Sequence, residues 1–284
     1  LNYPNSPTPF LRVIVHDLNL SPPLAALCAG YESGIWRGEA LAEHIMEWLP
    51  EFCLSSGELQ EFHPGTAVRL IRKSANLVYQ TDKYSKRGEF GEILLHIALR
   101  QIYQSIPAIS KIFWKDSVNN TVKGFDAVHV VEQNNRLELW LGEVKFYEDE
   151  ISAIRDVIAE LVDHTNLIYL RNEFTLITNK LDKQSAHYES LSKLLDQNTS
   201  LDEIFDAICI PVLISYNSEA VKSHNKTDSS YLNAIQEETN IILEKFRAKL
   251  LNIKLQVKVH LLLVPLHTKK DFVSQVDHCL KRLQ

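Results

Sequence analysis

Apolar and polar positions change rhythm several times along the chain, and each rhythm predicts an element. "LRVIVHDL" is short and rich in β-branched residues, which predicts a strand, and the turn "SPPL" closes it. A helical pattern runs through "SGIWRGEALAEHIMEWLPEF", where Leu41, Ile45, Trp48 and Leu49 recur at helical spacing until Pro50. "GTAVRLIRKSANLVYQ" predicts another helix, and the polar "TDKYSKRG" after it a soft boundary. These segments predict an accessory region over residues 1–82, packed on a core domain over residues 83–284.

The core has a clearer order. In "RGEFGEILLHIALRQIY", Phe90, Ile93, Leu94 and Ile97 form one apolar stripe, so the segment predicts a helix. "SKIFWKDS" reads as a strand, and "GFDAVHVVE" and "LELWLGEVKFY" as two more, joined by "QNNR" into a hairpin. "DEISAIRDVIAELVDHT" is amphipathic at helical period, and "EFTLIT" reads as a strand. Then come a helix near "SAHYESLSKLLDQ", a strand at "AICIPVLISY", a long helix from about Tyr231 to Leu251, a strand at "QVKVHLLLVP" and a closing helix. Helices alternating with strands after an early hairpin predict an α/β fold, a mixed β-sheet with helices on both faces.

Composition narrows the picture. A chain of 284 residues with 45% hydrophobic content can bury a large core. It contains no run of about 18 apolar residues, and its opening "LNYPNSPTPFLRV" lacks the basic-then-apolar order of a secretory signal, so neither a membrane span nor export is expected. The expected compartment is the cytoplasm. Cys28, Cys53, Cys209 and Cys279 are far apart, with no CxxC pair, which predicts buried reduced thiols rather than a zinc cluster. The net charge of −6 opposes long-range attraction of a polyanion, so any nucleic-acid role must rest on a local patch, a metal or a partner.

The candidate chemistry sits in the hairpin. Side chains alternate along a strand, so Glu143 and Lys145 share one face of "LELWLGEVKFY" and Val144 and Phe146 the other. If the turn pairs Glu132 with Leu137, the same register sets Asp126 opposite Glu143, with Cβ atoms roughly 4.5 to 5.5 Å apart. Two facing carboxylates repel unless a positive charge lies between them, and one lysine offsets only part of that. Magnesium suits the arrangement, being a hard cation that keeps several waters and uses one or two protein carboxylates; Mn²⁺ is expected to substitute.

The order of a helix with Glu, a strand with Asp ("GFD") and a strand with Glu-x-Lys ("EVK") resembles the PD-(D/E)XK nuclease core. The resemblance implies that Asp126 and Glu143 bind metal, that Lys145 assists the attacking water, and that Glu92 of "RGEFGE" completes the metal site, with Glu89 competing for that role. Phe125 stands where the family name has proline, and no Gln-x-x-x-Tyr signature follows "EVK" as in RecB-type members. A narrower resemblance covers roughly Lys83 to the C-terminus. "RGEFGEILLHIAL", "KGFDAVHVV" and "WLGEVKFYED" are similar to the nuclease subunits (HamA) of the Hachiman antiphage defence system and to the related anti-bacteriophage protein AbpA. That resemblance implies a Mg²⁺-dependent deoxyribonuclease acting on DNA and restrained by a superfamily 2 helicase partner encoded nearby. The rival expectation is a non-catalytic adaptor, a degenerate nuclease fold that regulates a helicase or binds DNA ends; the same core acting on RNA is a third.

Other residues stay open. Taken alone, Asp126, Glu143 and Lys145 could be an ordinary cross-strand ion pair, and Glu89 and Glu92 could simply complement a helix dipole. Arg69, Arg72, Lys73, Lys83, Lys86 and Arg87 form either a phosphate-binding patch or a solvated helix face, as do Lys111, Lys115 and Lys123. Trp36 and Trp48 read as core rather than a docking face. His96 and His129 read as structural.

Overall fold

A computed structural model describes residues 6–79, 88–109, 124–133, 136–183 and 187–284. The strands are β1 (Arg12–Asp17), β2 (Leu24–Cys28), β3 (Tyr31–Glu32), β4 (Ile35–Trp36), β5 (Ile106–Ile109), β6 (Ala127–Gln133), β7 (Arg136–Phe146), β8 (Ile208–Asn217) and β9 (Lys258–Leu266). The helices are α1 (Gly38–Cys53), α2 (Ser56–Gln60), α3 (Ala67–Tyr79), α4 (Glu89–Tyr103), α5 (Glu150–His164), α6 (Leu167–Lys180), α7 (Tyr188–Leu194), α8 (Leu201–Ala207), α9 (Glu219–Ser223), α10 (Ser229–Leu250) and α11 (Lys269–Arg282).

The apolar runs without polar alternation lie at the centre of the sheet, because their strands are covered on both faces. The seven-stranded order is β1-β2-β9-β8-β7-β6-β5. The pairings β2/β9, β9/β8 and β8/β7 are parallel, while β1/β2, β7/β6 and β6/β5 are antiparallel. The mixed sheet with a hairpin and helices on both faces is therefore as the sequence implied. The first two strands, from the region before residue 83, extend this same sheet through β9.

The hairpin register also follows expectation. Glu132 pairs with Leu137 and Ala127 with Gly142, which extrapolates to Asp126 facing Glu143. Even-numbered side chains of β7, among them Trp140, Val144 and Phe146, pack with α4 and α1 in one hydrophobic core. Leu139 and Leu141 point into a second core with Val212 and Ile214 of β8 and Ile154, Val157 and Leu161 of α5.

Several expectations need correction. "EFTLIT" is not a strand but part of α6, whose buried Leu170, Glu173, Phe174 and Ile177 mark one helical stripe; Asn166 caps its start by accepting from the Ile168 backbone N–H. Its β-branched residues mimicked a strand only when read without the residues on either side. The predicted helix beginning near Ser33 starts instead at Gly38, because Ile35–Trp36 pairs with Tyr31–Glu32 as a small separate hairpin. It also passes through Pro50 to Cys53, so the proline sits inside the last turn rather than ending the helix. The wholly buried strand β2, "LAALC", was not anticipated, its Ala and Leu being weak strand formers that only pairing on two sides keeps extended. The expected strand "SKIFWKDS" lies outside the described residues, as do Lys83, Lys86, Arg87, Lys111, Lys115 and Lys123.

His96 and His129 belong to a buried polar chain that ties α1, α4 and β6 together. Arg100 Nε donates to Glu51 Oε1 at 2.6 Å, and His96 Nε2 lies 3.1 Å from the same oxygen. His96 Nδ1 meets His129 Nε2 at 3.2 Å, and His129 Nδ1 meets Ser105 Oγ at 2.8 Å. Their structural reading holds. Trp36 and Trp48 are buried in the core, and so are all four cysteines.

The seating of α4 on β7 depends on Gly91, where a Cβ would lie 2.6 Å from Val144 Cγ1 and 2.8 Å from Phe146 Cβ. We expect Gly91→Ala to push α4 off the strand and destabilise the fold by about 1 to 3 kcal/mol. Urea denaturation of the variant against wild type would measure it.

Candidate functional site

The stripe that begins Leu139, Leu141 on the α5 side of β7 continues as Glu143, Lys145. Both polar side chains are buried, Glu143 at 2% exposure and Lys145 at 6%. They sit toward the carboxyl end of a parallel strand, where open α/β sheets usually place ligands. A cleft of about 1220 Å³ opens there, lined by Glu92, Asp126, Glu143, Lys145, Glu160 and His164 among others. The four residues singled out from the sequence therefore face one space, although Glu92 arrives from α4 on the opposite face of the sheet. Glu89, one turn earlier, is not among the lining residues.

Each member is positioned by local structure. Asp126 stands just before β6, and its Oδ2 accepts the Val144 backbone N–H at 2.9 Å. A side chain thus substitutes for the ladder partner that β6 no longer supplies. Glu143 Oε1 is 2.5 Å from His164 Nδ1, and Lys145 Nζ bonds Glu160. Both partners come from α5, which Asp149 caps by accepting the Ser152 N–H. His164 is stacked on Tyr169, with ring centroids 4.3 Å apart and planes 13° from parallel, and Phe125 meets it edge-on at 5.2 Å. Across the cleft, Lys269 at the start of α11 lies 4.9 Å over the Phe146 ring.

The electrostatics follow from burial. Loss of water raises the Glu143 carboxyl above its ordinary range; the His164 bond opposes this, while the negative charges of Asp126 and Glu160 reinforce it. Burial disfavours the His164 imidazolium, but the bond to Glu143 and the charges of Glu143, Glu160 and Glu173 prevail and raise its pKa. Burial also lowers Lys269, against the pull of Glu148. Carboxylates outnumber ammonium and guanidinium groups along the cleft wall, the condition a bound cation would relieve. Among the described residues no three His, Cys, Asp or Glu side chains form a preassembled metal cage. The hard oxygen donors of Asp126 and Glu143 nevertheless suit magnesium, which needs only one or two carboxylates.

Sequence reasoning missed Glu160 and His164. Their four-residue spacing on an amphipathic helix was a usable signal, placing them on one face. Of the basic patch, Arg69 lies 3.6 Å from Glu61 and Lys73 pairs with Glu58, so these two cations meet nearby acids.

With the site in place, the chain can be set beside known proteins. The HamA family model matches residues 8–279. The chain belongs to the HamA family. It is also 20% identical to Anti-bacteriophage protein A of Escherichia coli (strain K12) over 285 residues, a match covering 92% of this chain and 50% of that relative. The chain thus spans about half the length of the curated relative it matches. HamA membership and that relative place it in an antiphage defence family. No helix among the described residues is long and apolar enough to cross a membrane.

Behind His164 lies Glu173, 3% exposed, with Oε2 lacking a hydrogen-bond partner. Burial pushes its carboxyl up to about 7, with His164 partly opposing. Between the unfolded value and about 7 the folded state binds the extra proton, so this group's contribution is favourable at low pH and is lost as pH rises. We expect Glu173→Gln to raise the melting temperature at pH 8 and to change it little at pH 4.5, measured by thermal unfolding without added metal.

Proposed function

We propose that the protein is a metal-dependent deoxyribonuclease, the effector subunit of a bacterial antiphage defence system, working in the cytoplasm under a helicase partner. One observation carries the reading: Glu143 and Lys145 interrupt an apolar stripe at a buried position beside Asp126, at the mouth of a cleft. A side-chain pair this expensive to desolvate is not needed to hold the strand in place. HamA membership and the relative named for action against bacteriophage support the defence role.

In this reading Asp126 and Glu143 hold Mg²⁺ or Mn²⁺, with Glu92 completing the site. The bound ion would supply a water of lowered pKa and neutralise charge gathering on the phosphoryl oxygens. Lys145, whose ammonium is bonded to Glu160, plays an electrostatic part: it stabilises negative charge at the phosphorus rather than taking a proton. Lys269, half-buried over Phe146, faces the cleft as a contact for a backbone phosphate. The net negative charge of the chain leaves capture of DNA to the partner.

A second reading, the non-catalytic adaptor, is favoured by one feature: Lys145 and Glu143 already have protein partners in Glu160 and His164. Cleavage decides between the two. With Mg²⁺ and the helicase partner present, Glu143→Gln and Lys145→Met are expected to lower plasmid degradation by about 100-fold or more while the proteins stay folded. Both substitutions keep side-chain volume, so near-UV circular dichroism should match wild type. Degradation at the wild-type rate by both variants would refute the nuclease reading.

A further inference from the structure

We infer that His164 is a positioning residue for Glu143, donating its Nδ1–H to one carboxylate oxygen and so fixing the other as a cation ligand. This rests on the proposal that Asp126 and Glu143 bind a divalent ion.

Four features of the structure carry it. Nδ1 lies 2.5 Å from Glu143 Oε1, and Glu143 is almost wholly buried, so the bond is shielded from competing water. The imidazole is held from two sides, stacked on Tyr169 and met edge-on by Phe125. It is the last residue of α5, and Asn166, capping α6, follows two residues later; a short junction between two capped helices restricts the backbone that carries it. Finally, the spacings match. Four residues of helix advance about 6 Å and two residues of strand about 6.6 Å, so Glu160 and His164 on α5 stand over Lys145 and Glu143 on β7 in one register.

A merely structural ion pair would need none of this confinement, and its loss would appear in stability alone. A carboxylate that must present one oxygen to a cation gains from having its other oxygen held, because ligands braced by hydrogen bonds lose less freedom when the ion arrives. The same helix braces Lys145 through Glu160, so α5 orients both polar groups of the strand at once.

Calorimetric titration of the full chain with Mn²⁺ alone tests this without relying on cleavage. His164→Phe keeps the stacking ring but has no donor, whereas His164→Asn gives up the ring and keeps a nitrogen donor near the Nδ1 position. We expect His164→Phe to weaken Mn²⁺ affinity about 10- to 100-fold and His164→Asn to stay within about threefold of wild type. Thermal unfolding should order the two variants the other way, Phe being the more stable, which separates positioning from packing. Equal or tighter Mn²⁺ binding by His164→Phe overturns the role of His164 and leaves the cation site standing. Absence of Mn²⁺ binding by wild type overturns the cation site and the role of His164 with it.

Discussion

A carboxylate and an ammonium on the buried face of an inner strand oblige the surrounding structure to supply partners. Neither Glu143 nor Lys145 can draw on bulk water, and an uncompensated charge at such a position costs several kcal/mol, about as much as a small domain can spare. The fold answers from two directions. Asp126 closes the end of β6 and holds a backbone N–H of β7, and α5 lays Glu160 and His164 over the two charges. The pairing between α5 and β7 is therefore more than hydrophobic contact, since its apolar half is continued by two polar contacts in register.

The remaining architecture serves that juxtaposition. β7 is gripped on one edge by the antiparallel hairpin with β6 and on the other by parallel pairing to β8, so Glu143 and Lys145 cannot slip by one residue without turning to the opposite face. On that opposite face Gly91 lets α4 approach close enough for Glu92 to reach the shared cleft. The Glu51–His96–His129–Ser105 chain anchors α4 to α1 and to β6 through His96, which fixes the helix at its middle, one turn beyond Glu92. An acidic cleft at the carboxyl ends of parallel strands is a natural seat for a cation, and with a net charge of −6 the proposed action on DNA would depend on such local chemistry rather than on the overall field of the chain.

The two readings of function differ in what the partners of Glu143 and Lys145 are for. In an adaptor, His164 and Glu160 neutralise a relic of chemistry. In a nuclease, they hold the same groups in the geometry that ion and substrate require. The confinement of the His164 ring by Tyr169 and Phe125 is easier to understand in the second case, because neutralisation needs charge but not orientation.

Much was legible in the sequence because it depended on local pattern. The β-branched strands, the amphipathic α4, α5, α10 and α11, and the polar turn between β6 and β7 all follow from periodicity, and strand alternation alone put Glu143 and Lys145 on one face. The hairpin register followed from the length of the turn. What failed lay beyond a short window: β2 is extended only because strands flank it on both sides, and "EFTLIT" is helical because its apolar residues, read with those on either side, meet the second core at helical spacing. His164 and Glu160 became partners of β7 only when α5 packed across the sheet, and Glu92 entered the cleft only when α4 was seated from the other side. Sequence by itself determined the elements and which residues share a strand face, since a repeat of two or of 3.6 residues is a property of the chain. Beyond the hairpin, tertiary structure alone decided which charges meet, because contacts between distant segments are set by how whole faces pack.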